Sequence, residues 1–205
     1  MKKSKAETAE TRRRIVDIAA RAFRTQGIEA TGVAEVMAAA GLTHGGFYRH
    51  FGSKEELVAE AVAASLEQLI LESERWTELG AEGALQHALD YLSPESRDDV
   101  AQTCTFAAAG SELVRADEKT RHVASEAFRR NLELLAPYMS TPQGGDRTAA
   151  AISVLTNMIG ALTMSRMVDD PALSDRILAV TRQRLTRSIE VAANKRGKSA
   201  APAPP

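Results

Sequence analysis

A single cysteine, Cys104, is all that the 205 residues provide, which excludes an intramolecular disulfide and a zinc-finger quartet. Aromatic residues are equally scarce, at 4%, and few Val, Ile, Tyr and Thr residues alternate in the manner of strands. No uninterrupted apolar run reaches the ~18 residues of a membrane span, so no membrane partner is expected. Met1 to Lys5 is followed by acidic and polar residues rather than an apolar stretch. No secretory signal is therefore expected, and the protein is read as cytoplasmic. The histidines His44, His50, His87 and His122 show no metal-ligand spacing such as His-Glu-x-x-His. Gly45-Gly46 lacks the strand and the lysine of a phosphate-cradling loop, and no Ser or Cys sits in a nucleophile setting. No metal, cofactor or catalytic residue is expected, and the chain is not read as an enzyme.

What is present is alanine, leucine and charge. Hydrophobic residues make up 44% of the chain, enough for a sizeable core. Alanine and leucine dominate that set, which favours an all-α protein. The net charge of −1 hides an uneven distribution. Residues 1–54 hold ten Lys/Arg against five Asp/Glu, and the rest of the chain holds 16 against 22. A basic head on an acidic body suits an end that meets phosphate, although a solvated charged face has the same composition.

Residues 1–10 are polar and read as a frayed end. From Thr11, the apolar positions Ile15, Ile18, Ala19, Ala22 and Phe23 recur at helical spacing until Gly27. A second helix fits Val33 to Ala40, ended by Gly41, and a third runs from Thr43 to Gly52. Ser53-Lys-Glu-Glu56 reads as a capping box opening a helix whose inner face is Leu57, Val58, Ala61, Val62, Leu69 and Ile70. Breaks follow at Gly80 to Gly83, Ser93-Pro94 and Thr141 to Gly145, with helices near 83–92, 97–115 and 117–138 between them. The stretch 147–167 carries Ala151, Val154, Leu155, Met158, Ile159 and Leu162 on one face. Asp169-Asp170-Pro171 starts a last helix running to about Ala193. The expected organisation is a helix-turn-helix domain over 1–54, a helical domain over 55–194 and a disordered tail over 195–205, with about nine helices in total.

The informative segment lies between Thr31 and Leu57. Val33 and Val36 face inward from one helix, Gly41 permits the positive φ of a tight turn, and Leu42 plugs the corner. Thr43 is expected to cap the next helix, whose Phe47 returns to the same small core, with Phe51 packing beside it. Two helices joined by a short glycine turn form a helix-turn-helix unit, in which the second enters the major groove of DNA.

The run GIEATGVAEVMAAAGLTHGGFYRHFGSKEEL resembles the DNA-binding segment of TetR-type repressors. Gly27, Thr31, Val33, Ala40-Gly41, Thr43, Gly46, Tyr48, His50-Phe51, Lys54-Glu55 and Leu57 carry the resemblance, which is strong over about residues 11–60. Met37 stands where the family usually has Ala, and Gly32 replaces a usual Ser/Thr cap, which should cost a few tenths of a kcal/mol. Gly45 lies where many relatives carry a larger side chain.

The resemblance implies an N-terminal three-helix helix-turn-helix domain, followed by a larger helical domain for ligand binding and dimerisation. It also assigns a DNA-facing set: Thr31, Gly32, Thr43, His44, Gly45, Tyr48, Arg49, His50 and Lys54. Thr43, His44 and Gly45 lie nearest base edges, and Tyr48, His50 and Lys54 match phosphate-contact positions. Thr31 offers a further hydroxyl, while Arg49 touches the backbone or is simply solvated. Packing within the small core is the other reading of Tyr48 and His50. Lys2, Lys3, Lys5 and Arg12 to Arg14 either reach an adjacent groove or form a basic arm with no role.

The last two long helices, near 147–167 and 171–193, are the expected homodimer interface. Ala150, Ala151, Gly160 and Ala161 permit close approach, and Ile177, Val180, Leu185 and Ile189 form an apolar stripe. A two-fold dimer would read a palindromic operator at half-sites roughly 34–36 Å apart or a multiple of that. Trp76, His87, Tyr91, Cys104, Phe106, Phe128 and Met158 are candidate walls of a pocket for a hydrophobic or aromatic effector, with ordinary core packing as the alternative for each. Cys104 is either an inert buried thiol or a redox sensor. The expected function is a DNA-binding transcriptional regulator, in the repressor sense, released from its operator by a small molecule. The alternative is a helical protein-interaction or dimerisation module without sequence-specific DNA binding. DNA affinity that falls steeply with salt separates the two.

Overall fold

The computed structural model describes residues 5–142 and 144–197, with side chains to Ile189. Among the described residues it is all-α, with nine α-helices, three short 3₁₀ turns and no strand. The helices are α1 (Lys5–Gln26), α2 (Val33–Ala39), α3 (Lys54–Thr77), α4 (Gly80–Tyr91), α5 (Pro94–Asp98), α6 (Thr105–Leu113), α7 (Glu118–Leu135), α8 (Arg147–Met167) and α9 (Pro171–Gly197). The 3₁₀ turns lie at His44–Arg49, Val100–Gln102 and Ala136–Tyr138. Backbone contacts divide the chain into two compact units. One holds the described residues up to Leu69 together with Val100–Ala127, and the other holds Ile70–Asp99 together with those from Phe128 onward.

The first unit is organised around one apolar cluster. Ile15, Ala19 and Phe23 of α1 meet Val36 and Met37 of α2, Phe47 and Phe51, and Leu57, Ala61 and Leu66 of α3. Glycines shape its corners, with Gly27 at φ +96° ending α1 and Gly41 at φ +70° after α2. The capping box at Ser53 forms with one difference. Glu56 N donates to Ser53 Oγ at 3.3 Å, but the Glu56 carboxylate reaches one residue further back, accepting from Gly52 N at 2.7 Å. Its other oxygen accepts from Arg12 Nη2 at 2.6 Å, which orients the carboxylate between α1 and the start of α3.

Several expectations about helix limits are corrected. The polar start is not frayed from Lys5 onward: α1 begins there, with Thr11 Oγ1 donating to Glu7 O and Arg13 paired to Glu10. The third helix is a six-residue 3₁₀ turn, and Thr43 makes no side-chain cap bond. Gly45 and Gly46 weaken α-helical propensity in so short a segment. The single helix expected over 97–115 is interrupted. Ser93 accepts from Ser96 N, and Pro94 sits in the first turn, so α5 starts early. Asp99 at ψ 77° ends it, and the extended Cys104 delays α6 to Thr105. The helical backbone also continues through 195–197, while 198–205 lie outside the described residues.

The second unit packs α8 along α9, and α9 also against α4. Asp146 caps α8 through Thr148 N and Ala149 N, and Asp170 caps α9 through Ala172 N and Leu173 N. Polar bonds tie the helices together. Arg97 reaches Ser174 and Asp175, Arg166 donates to Ser96 O and Arg97 O, and Arg182 donates to Leu89 O. By length and composition alone, α8 is long and apolar enough to cross a membrane. One-third of its apolar window is buried inside the unit, including Ala151, Val154, Met158 and Leu162.

The break expected over Gly80 to Gly83 narrows to Gly80, at φ +76°, and the helix expected near 83–92 begins three residues earlier. Gly83 lies inside α4 for a different reason: a Cβ there would sit 2.0 Å from Trp76 O and 2.6 Å from Leu79 Cβ. Helix propensity favours alanine over glycine by about 1 kcal/mol. Gly83→Ala is nevertheless predicted to lower stability by ~1–3 kcal/mol through overpacking against backbone. A urea midpoint at or above that of the unmodified protein would contradict this.

Candidate nucleic-acid interface

The segment between α2 and α3 is built from the inside outward. Phe47 and Phe51 are each 1% exposed and stack with ring centroids 5.5 Å apart. Arg12 lies over the Phe51 ring, 4.1 Å from its centroid. Met37 is fully buried, and its methyl would lie 3.6 Å from a Cβ on Gly46, so the larger side chain fills space that the glycine leaves. With Phe47 turned inward, its neighbours face outward. Thr43, His44, Gly45, Tyr48 and Arg49 are exposed, and Tyr48 reaches 69% while resting edge-on against Phe47 at 5.3 Å. Gly32 is exposed as well, at the extended cap position of α2. An outward Cβ at Gly45 would meet nothing within 4 Å.

Three of the expected DNA-facing residues are held by the protein itself. Thr31 is 1% exposed, and its hydroxyl donates to Gly27 O at 2.6 Å, closing the α1–α2 turn. The half-buried Lys54 donates from Nζ to Glu29 O at 3.1 Å, bracing the same turn. His50 is half-buried beside Phe51, with ring centroids 6.5 Å apart, and closes the 3₁₀ turn through its amide. Arg12 is not a groove-reaching arm. It bonds Glu56 and both oxygens of Glu60, and the Glu60 hydrogen bond chiefly raises its guanidinium above the usual arginine value. Arg13 and Arg14 remain exposed, and Lys5 is helical, while Lys2 and Lys3 lie outside the described residues.

The candidate effector residues fall in both units. Cys104 and Phe106 belong to the first, where Cys104 is 8% exposed and Phe106 packs against the apolar cluster. Trp76, His87, Tyr91, Phe128 and Met158 belong to the second. There Trp76 and His87 stack with centroids 6.1 Å apart. The Ser73 hydroxyl donates to Asn131 Oδ1 at 3.1 Å and lies 3.3 Å from His87 Nε2, which makes Nε2–H the matching tautomer. Sequence reasoning did not anticipate Ser73 or Asn131, because small polar residues inside an amphipathic helix carry no periodic signal. In the expected dimer stripe, Leu185 and Ile189 are 3% and 1% exposed, buried within their own chain, whereas Val180 is 44% exposed. Among the described residues, the outward large apolar side chains of these two helices are Val180 of that stripe, with Ile152, Met164 and Met167 of α8 and Leu173 of α9.

Burial lowers the pKa of His87, against smaller opposing effects from Glu72 and Asp90. An unfolded chain with the ordinary value of 6.5 takes up the proton more readily than the folded one. Stability is therefore predicted to be level above that pH and to fall as pH drops below it. His87→Gln should flatten part of this slope, and an unchanged slope in chemical denaturation would contradict the assignment to His87.

Residues 15–61 match the model of a family described as bacterial regulatory proteins, tetR family. The HTH-type transcriptional regulator AcrR of Shigella flexneri is 44% identical over 59 residues, covering 29% of this chain and 27% of that one. The HTH-type transcriptional repressor KstR2 of Rhodococcus jostii is 33% identical over 127 residues, covering 60% of this chain and 57% of that one. The chain thus spans less than two-thirds of these relatives. A crystal structure of a TetR-family transcriptional regulator from Agrobacterium tumefaciens shares the fold at a TM-score of 0.75 and 18% identity, over 89% of this chain and 99% of that one. The reduced form of Escherichia coli NemR does so at 0.73 and 17%, over 88% and 97%.

Proposed function

We propose that the chain is a cytoplasmic transcriptional regulator of the TetR type that reads duplex DNA through its helix-turn-helix, a reading supported by the family match over residues 15–61 and by the 44% identity to AcrR over 59 residues. The observation that carries the reading is the outward set Thr43, His44, Gly45, Tyr48 and Arg49, presented over the buried Phe47. Residues 1–54 act as the DNA-reading domain, and 55–194 as the effector and dimerisation domain. Thr43 and His44 address base edges. Tyr48 and Arg49 address phosphates, joined by His50 and the remaining Lys54 hydrogens. The open side of Gly45 lets the backbone approach a groove closely. Gly32 serves through its amide at the start of α2, whereas Thr31 acts indirectly by closing the turn.

Dimerisation follows from the outward apolar side chains of α8 and α9, which leave Ile152, Met164, Met167, Leu173 and Val180 without cover in a single chain. Two copies would present two reading turns to a palindromic operator. The repressor sense is carried over from the relative of that name. The effector is hydrophobic or aromatic, in keeping with the stacked Trp76 and His87. Its binding must favour the dimer state whose turns no longer match the groove spacing.

Selection from random duplexes should yield a palindrome bound in a strongly salt-dependent manner. His44→Ala and Tyr48→Ala are each predicted to weaken binding to it by about 1–3 kcal/mol with the fold retained. Failure to enrich any duplex favours the protein-interaction alternative. Met164→Asp should shift the molecular mass in solution from dimer toward monomer, and a monomeric unmodified protein would refute the interface.

A further inference from the structure

The last turn of α6 runs against a local rule. Helix C-termini carry partial negative charge and favour basic side chains. Yet α6 has no basic residue in its last turn, where Glu112 stands. The α1–α2 turn answers this carboxylate: Ile28 N donates to Oε2 at 3.0 Å and Glu29 N to Oε1 at 2.9 Å. Successive amides after a left-handed residue form a concave seat for an anion, and Gly27 supplies that residue at φ +96°. The approach is close, since a Cβ on Gly27 would lie 3.1 Å from Oε2.

A second tie lies at the other end of α6. Arg24, 8% exposed near the end of α1, donates from Nε to Ala101 O at 2.7 Å and also bonds Ser65. Ser65 in turn shares a 2.7 Å hydrogen bond with Thr105, the first residue of α6. Residues 101–113 therefore grip the end of α1 and the turn that leads into α2. Thr31 and Lys54 hold that turn from its other side.

We propose that Glu112 is a positioning residue for DNA reading, one whose carboxylate makes the α1–α2 turn move together with α6. The proposal rests on the DNA-binding function given above. Two charge-assisted hydrogen bonds join the turn to α6, so a shift of α6 displaces the turn and with it α2 and the reading segment. Coupling between sites is reciprocal, so duplex bound at the reading surface must also alter α6.

Hydrogen exchange on the full chain, with and without a mixed-sequence duplex in low salt, tests this in the unmodified protein, Glu112→Gln and Glu112→Asp. In the free protein, the Ile28 and Glu29 amides should exchange about tenfold faster in Glu112→Gln than in the unmodified chain. The duplex should slow exchange across Thr105–Leu113 in the unmodified protein. Glu112→Gln should bind the duplex about tenfold more weakly and, at saturating duplex, lose that response, and Glu112→Asp, which keeps the charge on a shorter stem, should recover part of both. A purely structural role leaves the α6 response equal in every variant that binds, and that result overturns the proposal. If Glu112→Gln does not fold, Glu112→Asp decides, because a full α6 response alongside fast Ile28 and Glu29 exchange sinks the coupling. If the unmodified chain binds no duplex, the DNA-binding function itself fails, and the proposal falls with it.

Discussion

The exposed turn over His44–Arg49 depends on two phenyl rings beneath it. A six-residue 3₁₀ segment cannot hold its shape in water, because its few hydrogen bonds do not offset the ordering of its backbone. Burial of Phe47 and Phe51, about 1.5–3 kcal/mol each, fixes it to α1, α2 and α3. Once Phe47 points inward, three residues per turn send Gly45, Tyr48 and Arg49 to the other sides, and His44 is exposed at the open start of the segment. The outward surface is a consequence of the inward one. Met37 completes the support by filling the volume beside Gly46.

Charge in the first unit is divided between inside and outside. Arg12 and Arg24 lie in the basic head by sequence, but both are engaged by the protein. Arg12 joins α1 to the first turns of α3 through Glu56 and Glu60, and Arg24 joins α1 to residues 65 and 101. Counting basic residues therefore overstates the charge available to phosphate. Glu112 is the converse case, an acidic side chain at an unfavourable helix end that two amides from another part of the chain stabilise.

In the second unit, the polar group Ser73, His87 and Asn131 is hydrogen-bonded beside the stacked Trp76. Such networks resist partial disruption, since each unmet polar group in a low-dielectric interior is costly. The exposed apolar side chains of α8 and α9 follow the opposite logic. One face of each helix is covered by its own chain, and the other presents Ile152, Met164, Leu173 and Val180 to whatever approaches.

Local chemistry in the sequence determined the all-α class, the glycine corners at Gly27 and Gly41, the caps at Ser53 and Asp170, the limits of α8 and the motif between Thr31 and Leu57. Each of these is set within a few residues by periodicity, backbone freedom or a capping side chain. The tertiary structure alone decided that Thr31 and Lys54 brace a turn, that Arg12 lies across Phe51, that Leu185 and Ile189 face inward, and that Phe106 packs with the helix-turn-helix core. It also decided the pairing of Glu112 with Ile28 and Glu29, more than 80 positions away in the chain. These outcomes depend on which partner a side chain meets. Neither composition nor spacing encodes that partner, because the free energy of each contact exists only once distant segments are brought together.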